Sequence, residues 1–97
     1  MNTPAGGVVG LDSYRRTADL RQAEYYRQLL EDQRAQIAHE LAGHTATLAG
    51  YRHDGDLLGV RQMRRLVRAK ETELKTIAHL LQGLALRFGP RGIAPSR

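Results

Sequence analysis

The sequence predicts an all-α chain folded as an antiparallel two-helix hairpin of coiled-coil type. Three observations lead there. From residue 11 to residue 88 there is no proline, and the one cluster of helix-breaking residues is RHDGD at 52–56. In the second half, apolar residues recur in alternating steps of three and four over about four heptads. Two long helices joined by so short a turn can bury their apolar rows only by lying antiparallel.

The opening MNTPAGGVVG holds a proline, three glycines and no charge, and reads as a flexible tail over residues 1–10. The hairpin itself spans 11–88. Asp12 or Ser13 is suited to cap the first helix, expected over about 12–52. RHDGD supplies the turn at 52–56, Asp54 or Asp56 caps a second helix over about 56–88, and Gly89-Pro90 stops it. Residues 89–97, GPRGIAPSR, read as a second flexible tail.

The packing row of the second helix is Val60, Met63, Val67, Lys70, Leu74, Ile77, Leu81, Leu84 and Phe88, in which only Lys70 is polar. In the first helix the matching row is Leu30, Ile37, Leu41, His44, Leu48 and Tyr51, continued by Gln33 and Tyr26. In an unbroken hairpin, facing residues have numbers summing to about 110. Glu40 therefore falls opposite Lys70, where a polar pair would set the register of the two rows.

Residues 11–21 extend past the end of the second helix on the same count, either continuing the first helix or folding back over the hairpin. Leu11, Tyr14, Ala18, Tyr25 and Leu29 lie at helical spacing on a stripe away from the seam. Ala35, Ala38, Ala42, Ala46 and Ala49 form another, smooth enough for close approach of a second helix. These unpartnered stripes point to self-association, with a homodimer and four-helix bundle as the expected result.

AHELAGH, residues 38–44, resembles a zinc-protease helix, whose histidines stand four residues apart so that both reach one metal. Here the spacing is five, which turns His39 and His44 about 140° apart on a helix. No metal site is expected from it. Without cysteine there is neither a disulfide nor a thiolate site. Serine occurs only at 13 and 96, with no neighbouring histidine, and no phosphate-binding loop is present. No cofactor and no catalysis are expected.

The net charge of +5 is unevenly spread. Residues 1–56 hold six Arg/Lys and eight Asp/Glu, whereas 57–97 hold nine and two. Within VRQMRRLVRAK, Arg61, Arg64, Arg65 and Arg68 fall within about 100° on a helix, and Lys75 continues their face, opposite the seam. Such a strip suits an acidic protein surface or the phosphate backbone of nucleic acid. Aromatic residues are not interleaved with it, so base stacking is not expected. No apolar run reaches the ~20 residues of a membrane span, and the N-terminus lacks a secretion pattern. The expected setting is cytoplasmic, without a membrane partner, and the expected function is that of a non-enzymatic dimeric adaptor or regulatory scaffold, with nucleic-acid binding as the alternative. In length and hairpin shape the chain is similar to small secreted helical hairpins whose turn carries Trp-x-Gly. The likeness is confined to architecture, since the turn here is RHDGD and tryptophan is absent.

Overall fold

A computed structural model describes residues 3–89, with side chains from residue 10 onward. Two helices, α1 (Thr3–Asp54) and α2 (Leu57–Phe88), pack against each other, and the described residues include no strand. The residues expected as a C-terminal tail lie, beyond Gly89, outside those described, as do residues 1 and 2.

The turn is built as the local sequence requires. Gly55, at φ 71°, takes the left-handed conformation that costs glycine nothing. Its N–H donates to the Arg52 carbonyl at 3.2 Å, and the Asp56 N–H donates to the Tyr51 carbonyl at 2.9 Å. This double closure satisfies two carbonyls that the end of α1 would leave unpaired. Asp56, rather than Asp54, caps α2: its carboxylate accepts from the Gly59 N–H at 2.9 Å. Gly89 ends α2 at φ 90°, its N–H donating to the Ala85 carbonyl at 2.8 Å.

Helix α1 starts well before the expected Asp12 or Ser13 cap, so Thr3 to Gly10 belong to the helix and not to a tail. Pro4 falls in the first turn, where its missing N–H removes no intrahelical bond. Residues 11–22 continue α1 and do not fold back. At about 1.5 Å per residue α1 is some 30 Å longer than α2, and that length projects from the open end of the hairpin. The radius of gyration, 21.9 Å, compares with about 13 Å for a compact chain of this length.

All nine residues of the α2 row are buried or half-buried. On α1 the expected row holds at Leu30, Ile37, Leu41, His44, Leu48 and Tyr51, but Tyr26 and Gln33 are exposed. The seam runs instead through Arg27 and Ala23, one residue further round the helix at Arg27. Steps from 23 to 27 to 30 keep the four-three alternation, and an arginine in that row is what hides it from a hydrophobic pattern. Apolar burial is thin: among the described residues Ala23, Leu30, Leu48 and Ile77 are the buried apolar side chains, and none is fully enclosed.

Candidate interaction site

The counted register is realised. Lys70 Nζ lies 2.8 Å from Glu40 Oε1 and 3.5 Å from Glu73 Oε1. The ion pair with Lys70 holds the Glu40 carboxyl below its ordinary value, helped by the Gln36 amide, which donates to it at 3.0 Å, and by His44. Lys70 is shifted up by the same hydrogen bond to Glu40. Both groups keep access to water, so the pair works more as a register mark than as a large source of stability.

At the open end a second polar device closes the seam. Arg27 is 7% exposed, and its guanidinium donates to the Gly89 carbonyl at 3.0 Å and to Glu24 at 3.1 Å. One buried cation thus satisfies a C-terminal carbonyl of α2 and sits where the helix dipole is negative. The sequence carried one signal of this: Arg27 continues the heptad from Leu30, with Glu24 one turn before it.

Between Leu30 and Ile37 both candidate seam positions, Gln33 and Arg34, are exposed, and Arg34 turns away to pair with Glu31. The underfilled seam opens as a groove of about 670 Å³, lined among others by Tyr26, Leu29, Leu30, Gln33, Ile77 and Leu80. A second groove of about 530 Å³ adjoins it through Tyr26 and Leu29 and continues to Tyr25, Ala23 and Phe88. Further along the projecting part of α1, Tyr14 and Ala18 line a smaller hollow of about 470 Å³ with Ser13, Thr17 and Arg21.

The stripe foreseen for self-association therefore lies in the open. Leu11 is 56% exposed, Tyr14 73%, Tyr25 67% and Leu29 43%, and Ala18 is exposed as well. Tyr26, expected in the seam, joins this face at 44%. Ala35, Ala38 and Ala42 are exposed too, on the side of α1 away from α2, and do not merge with the grooves.

The remaining predicted residues come out as a surface strip. Arg61, Arg64, Arg65, Arg68 and Lys75 are all exposed on α2. The four arginines surround a hollow of about 340 Å³ with Leu57 and Val60. Helix α1 is unbroken through Gly43, so His39 points to solvent and His44 is half-buried in the seam. Among the described residues no group of three His, Cys, Asp or Glu side chains is placed to hold a metal ion. No described helix is long and apolar enough to cross a membrane.

Compared with family models, curated proteins and solved structures, the chain gives no match.

Proposed function

We propose that this chain is a non-enzymatic helical interaction module, an adaptor or regulatory scaffold, that works as a homodimer. A second copy covers the face formed by Tyr14, Tyr25, Tyr26 and Leu29, and the two hairpins make a four-helix assembly. One observation carries the reading: the chain exposes far more surface than its mass requires. A compact monomer of 10.8 kDa exposes about 5,500 Å² by the usual scaling. This one exposes 7459 Å². The surplus, about 1,900 Å² per chain, exceeds the about 800 Å² per partner of a standard interface. The exposed surface includes Leu11, Tyr14, Tyr25, Tyr26 and Leu29 along α1, and aromatic side chains are what interface centres favour.

Sedimentation equilibrium tests this directly. The wild type is expected to sediment as a dimer at micromolar concentration, and Tyr25→Glu combined with Leu29→Glu as a helical monomer. A monomeric wild type at 100 µM would overturn the dimer.

A further inference from the structure

We infer that the arginine strip of α2 is a binding site for the phosphate backbone of duplex nucleic acid, separate from the dimer face. Arg61, Arg64, Arg65 and Arg68 are exposed, and none makes an ion pair or hydrogen bond with another described residue. Among the described residues Arg27, Arg34 and Lys70 are each matched to a glutamate, whereas Arg15, Arg16, Arg21 and Arg52 are exposed without one; what sets the strip apart from these is that its four arginines share one face within two turns. Four like charges within two turns repel one another, and no described carboxylate forms an ion pair with any of them. An anionic ligand relieves it. With Lys75 the cations extend along about 21 Å of helix.

Duplex nucleic acid matches this arrangement by charge density, carrying one negative charge per about 1.7 Å of its axis. Guanidinium groups bind phosphate oxygens bidentately and keep their charge at any physiological pH. The four arginines line a hollow together with Leu57 and Val60, with no tyrosine or phenylalanine among the lining residues. The site therefore reads the backbone and carries no stacking platform for single-stranded bases. The hollow reaches the edge of the seam at Val60, but the arginines themselves are exposed, so a duplex can reach them without parting the helices.

The test is fluorescence anisotropy with a labelled 20-base-pair DNA duplex of random sequence, titrated at several salt concentrations. Four phosphate contacts predict that affinity falls about 150-fold between 50 and 200 mM salt. Arg64→Gln with Arg68→Gln should reduce this to about 12-fold, because two contacts remain. Arg61→Gln with Arg65→Gln should do the same, and glutamine keeps the helical propensity of arginine. Arg15→Gln with Arg16→Gln removes equal charge from the projecting part of α1 and should leave the salt dependence unchanged. The proposal is overturned if the wild type does not bind the duplex at 20 mM salt. It is also overturned if the Arg15/Arg16 control loses as much as the strip variants, which would mean diffuse attraction. Preferential binding of a polyglutamate peptide over the duplex would likewise overturn it, in favour of an acidic protein partner. Circular dichroism of each variant checks that helicity is retained.

Discussion

Replacing Gly59 by alanine should destabilise the hairpin, although alanine is the better helix former. Gly59 is buried in the first turn of α2, against the ring of Tyr51. A Cβ built there would lie 2.7 Å from Tyr51 Cγ, 2.8 Å from Cδ1 and 2.9 Å from Asp56 Oδ2. The two carbon contacts are to the root of the ring, so relief requires the whole side chain to swing out of the seam. The carboxylate contact is to the residue that caps α2. Overpacking of this kind costs about 1–3 kcal/mol. A weakened cap adds about 1 kcal/mol, and the gain in helix propensity returns about 1 kcal/mol. The net loss is about 1–3 kcal/mol, a fall in Tm of roughly 5–20 °C for a chain of this length.

Gly43, Gly50 and Gly83 are the controls, since a Cβ at any of them meets nothing within 4 Å. Alanine there should stabilise by about 0.5–1 kcal/mol each. Thermal unfolding followed at 222 nm, at one fixed protein concentration because association shifts Tm, reads all four variants together. If Gly59→Ala melts at or above the wild type while Gly43→Ala and Gly83→Ala behave as expected, the close packing of Tyr51 on α2 is wrong.

Other consequences follow from the two polar devices in the seam. Glu40→Gln should be less stable than wild type at pH 7, and the gap should close as acid titrates Glu40. The sign follows from its lowered pKa, whose contribution is present above the ordinary carboxylate value of 4.5 and lost as pH falls through the depressed folded value. Lys70→Gln should show the opposite arm: because the Lys70 pKa is raised from 10.5, its contribution is complete below that value and lost as pH rises through the folded one. Urea midpoints across pH 2.5–12 check both, and a gap for Glu40→Gln that persists unchanged at pH 2.5 would show that charge is not its cause. Arg27→Ala should cost about 1.5–3 kcal/mol for its charge-assisted bonds and, in amide hydrogen exchange, loosen Leu84 to Gly89 selectively; uniform loss of protection along α2 would contradict its role as an end clamp. The proposed dimer, finally, should give a helical monomer on Tyr25→Glu with Leu29→Glu, as sedimentation would reveal.

Much of this molecule follows from one dimension. The Asp-Gly-Asp turn, the cap at Asp56 and the stop at Gly89 are local, because their bonds join residues at most five apart. The α2 row is legible because nearly every member is apolar and the heptad repeat needs no knowledge of a partner. Even the Glu40–Lys70 pair follows by counting back from a turn of known position. The exposed stripe of Leu11, Tyr14, Ala18, Tyr25 and Leu29 was legible for the same reason, as apolar residues left over from the pairing.

Tertiary structure decided the open end. A hydrophobic pattern assigns Tyr26 and Gln33 to the seam because Arg27 is charged, and a buried charge is costly unless it is paired. Its burial is matched by the local ion pair with Glu24 and by the Gly89 carbonyl, 62 positions away, which only the folded hairpin brings within 3.0 Å. With Arg27 so held, the seam runs through Arg27 and Ala23, and Tyr26 lies outside it with Tyr25 and Leu29 on the face proposed for the partner. Periodicity records which residues avoid water. It does not record which charged side chain will find a hydrogen-bond acceptor across the fold.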